Sequence, residues 1–373
     1  MSKGITEEFK SLSDLAEKFA QKEIEPEMLE RDRYPFVPFN EETWRKAVEL
    51  GLAGVTLPEA YGGAGQNISA LSIILDKIAR VDAGTSALLL CQSLAQSVII
   101  ESTSNDVKSM IFKDGKVPLI ACPLYDLPDD IQTLVWAKKE GNDFVLNGWA
   151  PYLAGAPIAD IVILPAKTAE NEISLFLLEK NAPRVCVGEP AVSLGLRTLP
   201  AADVGCENVK IGENKKLNKN VYEKIVNRYR ACVTSVALGI LIGSYQTALD
   251  YAQERYQAKK HIIEHDQVRM MFSRMVSLIE IGKAMVERAC VVAESDGDAV
   301  ELLSIQTRFT QEVAMCAEDG VQILGGYGYM HDYGQEKRMR DAKQVQAIFG
   351  PAAVKQMDII TLKLGNVTKS QVC

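Results

Sequence analysis

The sequence predicts an α+β chain in three parts: an N-terminal all-α domain, a middle antiparallel β domain and a C-terminal four-helix bundle domain. Three observations lead there. Apolar residues recur at helical spacing up to about residue 116. From 117 to about 211 the apolar segments become short and β-rich, separated by Gly, Pro and Asn clusters. From Val221 onward long apolar stripes at helical spacing return, joined by short turns. The expected domains are 1–116, 117–219 and 220–373.

The elements follow in order. Residues 5–32 carry Phe9, Leu12, Leu15, Ala16 and Phe19 on one helical face, with Pro26 ending or kinking the helix and Pro35 and Pro38 beyond it. Glu41–Leu50 reads as a second helix. Leu57-Pro-Glu-Ala-Tyr-Gly-Gly-Ala-Gly65 punctuates the chain with turn residues. Residues 67–82 and 85–101 are helical again, the second keeping Ala87, Leu90, Cys91, Leu94, Val98 and Ile99 in register. Asp143–Asn147, Ile161–Leu164 and Ile173–Leu178 read as strands, and Glu213–Lys219 as a polar linker. Val233, Val236, Ala237, Ile240, Leu241, Ala248 and Leu249 form one stripe of a helix from Val221. Further long helices are expected at about 264–294, 298–323 and 337–362.

Composition narrows the class. The 373 residues are 47% hydrophobic and 24% charged, an ordinary globular balance with enough chain for a sizeable core. The net charge of −8 argues against nucleic acid or an anionic membrane as partner. Eight cysteines, none in a Cys-x-x-Cys pair, sit mostly among apolar neighbours and read as core residues in a reducing compartment. No signal-type segment and no run of about 18 apolar residues occurs, so a cytoplasmic chain without a membrane span is expected. His261 and His265, with Glu264 and Asp266 beside them, lack a third ligand of suitable spacing, and no metal is expected.

Four segments carry a family likeness: Leu57-Pro-Glu-Ala-Tyr-Gly-Gly, Ala248-Leu-Asp-Tyr-Ala-Gln-Glu-Arg255 leading to Glu264-His, Gln322-Ile-Leu-Gly-Gly-Tyr-Gly-Tyr329, and Arg340-Asp-Ala-Lys343. The chain resembles the acyl-CoA dehydrogenase family over essentially its whole length. The resemblance implies an FAD enzyme that removes two hydrogens from a CoA thioester, a glutamate taking the α-proton and the flavin the β-hydride. It also implies reoxidation by an electron-transferring flavoprotein and assembly as dimers or tetramers. Such chemistry needs a base near the α-carbon and donors aimed at the thioester oxygen.

The sequence departs from that pattern at the chemistry. The position of the family's glutamate falls on Phe349, followed by Gly350 and Pro351. The alternative base position, on the first helix of the C-terminal domain, falls on Tyr229, a poor base at neutral pH. No catalytic residue is therefore assigned. In the stretch matching the family's flavin contacts, Ala121-Cys-Pro-Leu-Tyr-Asp-Leu-Pro-Asp-Asp130, Pro123 has neither hydroxyl nor N–H and Leu124 replaces an acid. Asp126, Asp129 and Asp130 bring the wrong charge to a pyrophosphate. In Leu146-Asn-Gly-Trp-Ala-Pro-Tyr-Leu-Ala-Gly155, Tyr152 stands for a tryptophan and Ala154 for a threonine.

By contrast, the residues that a family subunit lends to its neighbour's FAD are kept: Arg255, Gln322, Gly325 and Gly326, although the Phe-Gly after the arginine is replaced within Gln257-Ala-Lys-Lys-His261. Arg230 matches an arginine near substrate in family members, and with Tyr229 makes the substrate-binding pair; a solvated helix arginine is the plainer reading. Phe349 reads as core filling, and Arg340–Asp341 as a structural ion pair. Tyr125, Asp126, Tyr152 and Tyr229 are candidate substitute acid–base groups, with a core or surface role favoured for each. The favoured function is a base-less family subunit working with a homologous FAD-bearing subunit. The alternatives are an autonomous FAD-dependent acyl-CoA oxidoreductase with displaced groups, and a non-enzymatic acyl-CoA-binding relative.

Overall fold

The computed structural model describes residues 3–364 apart from 38, 129, 171 and 296. Pro38, Asp129 and Cys373, and with Cys373 the end of the expected third domain, lie outside the described residues.

The N-terminal helices are α1 (Lys3–Phe19), α2 (Met28–Asp32), α3 (Glu41–Glu49), α4 (Ile68–Ala79), α5 (Ala83–Ser102) and α6 (Asn105–Ile111). The expected helix 5–32 is divided: a π-turn and a 3-10 turn holding Pro26 separate α1 from α2. Side-chain caps start three of these N-terminal helices. Asn40 accepts from the Thr43 N–H at 3.0 Å, Asn67 from Ala70 at 3.0 Å and Asp82 from Thr85 at 2.8 Å.

The middle strands are β1 (Ile120–Ala121), β2 (Trp136–Glu140), β3 (Asp143–Ala154), β4 (Ile161–Ala169), β5 (Glu172–Glu179), β6 (Val185–Val187), β7 (Ala201–Gly212) and β8 (Lys216–Leu217). They form a sheet ordered β6-β7-β3-β2-β4-β5-β8, with β1 paired to β4. Pairing is mostly antiparallel, but β1 and β2 both meet β4 in parallel, so the sheet is mixed. Part of the expected polar linker is strand: β8 pairs with β5 through Leu175↔Leu217. Leu217 is buried, and that apolar contact outweighs the polar composition of its neighbours. Phe144, Leu146, Val162, Leu164, Phe176 and Val204 form a core under this sheet, separate from the large core of the helices.

The C-terminal part holds α7 (Lys219–Glu254), a hairpin of β9 (Tyr256–Gln257) and β10 (Lys260–His261), then α8 (Asp266–Glu294), α9 (Ala299–Leu324), α10 (Gln335–Val345) and α11 (Ala352–Leu364). The expected helix 337–362 is two helices, because Pro351 cannot continue a helix and Phe349 and Gly350 adopt φ of 60° and 104°. α7 packs against α4, α5, α8 and α9 and is apolar nearly all round. Gly239 permits the crossing with α4: a Cβ there would lie 2.4 Å from the Asp76 carbonyl oxygen. Among the described residues, two helices, Ala83–Ser102 and Lys219–Glu254, are long and apolar enough to cross a membrane, although neither is an unbroken apolar run. Their apolar windows are 83% and 72% buried inside the protein, as core helices are.

Candidate functional site

The candidate site residues fall mainly in two places: an inner cleft where the β region meets the bundle, and an outer one at the far end of α7 and α9.

The inner cleft is filled by the chain itself. The segment after β1 and the turn between α10 and α11 come from opposite walls, and the Phe349 N–H donates to the Leu124 carbonyl at 2.9 Å. Leu124 and Phe349 are fully buried. The Tyr222 hydroxyl, at the start of α7, donates to the Pro123 carbonyl at 2.7 Å. Tyr125 packs on Tyr152 with ring centroids 5.2 Å apart, and the Tyr152 hydroxyl is 2.6 Å from Ser193. Burial, with a contribution from Asp130, pushes the Asp126 carboxyl up to about 6. Ala154 is fully buried, its backbone paired with Cys122. None of these groups is a cation for a pyrophosphate. The inner cleft does not fit FAD.

Behind Phe349 lies a buried network of Arg230, Gln306 and Lys355. Arg230 is 5% exposed, so it is not the solvated helix residue considered above. Its Nη1 donates to the Gln306 Oε1 at 2.6 Å, its Nε to Asn227 at 3.1 Å, and its guanidinium lies 5.9 Å from the Phe349 ring centroid. Gln306 Nε2 donates to the Ile348 carbonyl at 2.9 Å. Lys355, fully buried, donates to the carbonyls of Ile348 at 2.8 Å and Gln346 at 2.7 Å. Burial and then Arg230 push its ammonium down to about 7. Nothing in the local sequence marks Lys355, because a lysine on an amphipathic helix reads as surface.

Tyr229 is also internal. Its hydroxyl donates to the Ser93 carbonyl at 2.8 Å and lies 2.8 Å from Ser97 and 3.1 Å from Thr56. Burial pushes its phenol well up, so it cannot act as a base near neutral pH. It lines a cleft of about 510 Å³ with Thr56, Ser97, Glu101 and Arg228, where Arg228 pairs with Glu101.

The outer cleft, of about 610 Å³, brings together Arg255, Gln322, Gly325 and Gly326 with Tyr251, Tyr327 and Met330. Arg255 ends α7, and the hairpin beside it turns through Ala258 and Lys259 at φ of 52° and 69°. Gly325 has φ 56° and ψ −129°, open to glycine but not to a residue with a side chain. A Cβ at Gly325 would meet nothing within 4 Å, and one at Gly326 only the Tyr329 hydroxyl at 3.8 Å. The backbone therefore faces open space beside an exposed guanidinium, an arrangement that fits an anionic nucleotide. Tyr251, Tyr327 and Tyr333 pack ring to ring at its edge.

Other expectations change. Arg340 and Asp341 do not pair with each other, because adjacent positions on α10 point to different neighbours. Arg340 binds Asp32 and Glu336, whereas Asp341 accepts from Lys337 at 2.7 Å. Asp32, His331 and Glu336 are the metal-like cluster among the described residues, not His261 and His265, and Arg340 already neutralises its carboxylates. Of the cysteines, Cys186 is exposed and the other described ones are buried.

The chain matches the family models described as "Acyl-CoA dehydrogenase, N-terminal domain" over residues 6–114 and "Acyl-CoA dehydrogenase, C-terminal domain" over residues 220–364. It is 28% identical to cyclohex-1-ene-1-carbonyl-CoA dehydrogenase of Geobacter metallireducens, over 95% of this chain and 97% of that protein. It is 27% identical to the caffeyl-CoA reductase-Etf complex subunit CarC of Acetobacterium woodii, over 95% of this chain and 98% of that one. Its fold is that of butyryl-CoA dehydrogenase from Megasphaera elsdenii, with a TM-score of 0.87, 23% identity, and 96% of this chain and 98% of that one covered. With its helical–sheet–helical plan and these matches, the chain belongs to the acyl-CoA dehydrogenase family.

Proposed function

We propose that this chain is a base-less acyl-CoA dehydrogenase-family subunit that works beside a homologous, FAD-bearing subunit. It completes the adenosine end of that subunit's cofactor with Arg255, Gln322, Gly325 and Gly326. The observation that carries this reading is the contrast between the two clefts of one chain. The inner one is filled by the contact of Leu124 with Phe349, while the outer one stands open with these four residues around it. Tyr256, Tyr327, Tyr329 and Met330 are exposed near it, an apolar rim suited to burial against another subunit.

In such a pair the flavin supplies hydride acceptance from an acyl-CoA thioester. The base belongs to the other subunit, since Phe349 has no proton acceptor and the Tyr229 phenol is held protonated. Arg230 and Tyr229 then serve this chain's packing rather than its own substrate. An electron-transferring flavoprotein is the natural electron acceptor, in keeping with the relative named as part of an Etf complex.

The test is to purify the chain alone and co-expressed with a homologous subunit, and to record flavin absorbance and dehydrogenation. Colour and activity are expected only in the pair. Arg255→Ala in this chain should weaken FAD retention by the pair about tenfold to a hundredfold, the value of a charge-assisted hydrogen bond. A yellow, active, homomeric chain would refute the proposal and favour the autonomous enzyme. CoA-ester binding without flavin in either preparation would favour the non-enzymatic relative.

A further inference from the structure

The turn between α10 and α11 does more than lack a base. Phe349 is an aromatic residue held at φ 60°, a conformation that costs about 1–3 kcal/mol and persists only where the surroundings over-determine it. Four sets of contacts do so. The Phe349 N–H is bound to the Leu124 carbonyl across the cleft. Gly350 abuts Leu127 so closely that a Cβ there would lie 2.3 Å from Leu127 Cδ2. Gln306 and Lys355 both donate to one carbonyl, that of Ile348, from α9 and from α11. Arg230 lies over the Phe349 ring from α7. Lys355 also holds the Gln346 carbonyl.

We propose that residues 346–350 form a built-in plug, with Lys355 as its positioning residue, which joins the β region to the bundle without any ligand in the inner cleft. Lys355 and Gln306 together orient the Ile348 carbonyl, and this sets Phe349 against Leu124. The chain thereby folds to its final form independently of flavin, and only its outer cleft is left to take part in cofactor binding. The plug stands on contacts within this chain, so it holds or fails separately from the existence of a partner subunit.

Cys122 reports on the plug. It precedes Pro123 and Leu124, is fully buried, and its Sγ lies 3.4 Å from that of Cys91. Cys290, buried on α8 against Ser72 of α4, serves as the control thiol. The experiment is timed alkylation of the native full-length chain with N-ethylmaleimide, read thiol by thiol by peptide mass spectrometry. It compares wild type, Lys355→Met, Gln306→Leu and the double variant. The expected result is protected Cys122 in wild type and about tenfold faster labelling in each single variant, with Cys290 unchanged. The double variant should add less than the sum of the two singles, because the two side chains share the Ile348 carbonyl although each also holds a partner of its own. Equal protection of Cys122 in all four proteins, or fully additive effects, would overturn the proposal. If a single variant fails to fold, Gly350→Ala opens the plug from the Leu127 side and is expected to expose Cys122 in the same way; unchanged protection there would count equally against it.

Discussion

Lys355 shows how one residue can register its surroundings. Its ordinary value is 10.5, and burial beside Arg230 lowers it to about 7. Between those values the unfolded chain binds a proton here that the folded chain does not. Stability contributed at this site therefore rises with pH across that window and is at its lowest, and constant, below about pH 7. Lys355→Met removes the proton-binding group and with it the slope. The difference in unfolding free energy between wild type and variant is expected to move in favour of wild type by up to about 1.4 kcal/mol per pH unit in this range. Denaturant melts of both proteins at several pH values measure it, and a constant difference would contradict the assignment. Neither Lys355 nor Gln306 was legible in the sequence. Phe349 was, as a core residue, because an aromatic at that position has no polar alternative.

The elements that shape the site are set by close approach as much as by pattern. Among the glycines of α7, Gly239 lies against α4 and Gly243 against the Arg80 carbonyl, where a Cβ would fall 2.3 Å from the oxygen. Leucine at 239 has no room without moving α4, which carries the buried Leu71, Ile74 and Leu75. Gly239→Leu is expected to cost at least about 1–3 kcal/mol, the usual penalty of overpacking a dense core. A lowered urea midpoint without a changed helix content measures it; an unchanged midpoint would mean that the helices separate freely. Stripes of apolar residues made α4, α5, α7, α8 and α9 readable. The β8 pairing and the break at Phe349–Pro351 were not, since the first depends on a partner strand and the second on a turn closed from outside the segment.

Across the whole molecule, a buried ionic group ties the N-terminal helices to the bundle. Lys337 on α10 donates to Asp82 at 2.6 Å and to Asp341 at 2.7 Å, all three fully or almost fully buried. Asp82 also caps α5, and Asp341 accepts from the Leu196 N–H at 2.6 Å. Despite its burial, the shared ammonium lowers the Asp82 carboxyl to about 2, while burial pushes Asp341 up. Lys337→Met leaves two carboxyls without their cation and is expected to cost about 3–5 kcal/mol, read from equilibrium unfolding in urea. A loss below about 1 kcal/mol would show that the group contributes little to the joint between the two helical regions.

By itself the sequence determined the class of the protein: the helical, sheet and helical order and the family motifs, with Phe349 and Tyr229 at the two positions where a base is expected and Arg255 and Gln322–Gly326 in a second motif. These are local properties, carried by periodicity, by side-chain chemistry and by motif spacing. Only the tertiary structure decided that the inner cleft is closed by Leu124 against Phe349, that Arg230 and Lys355 are buried behind it, and that Arg255 faces an open cleft with the Gly-Gly turn. The reason is physical. Whether a cation is solvated or buried, and whether two walls meet or stand apart, depends on segments distant in the chain, which no local pattern of residues specifies.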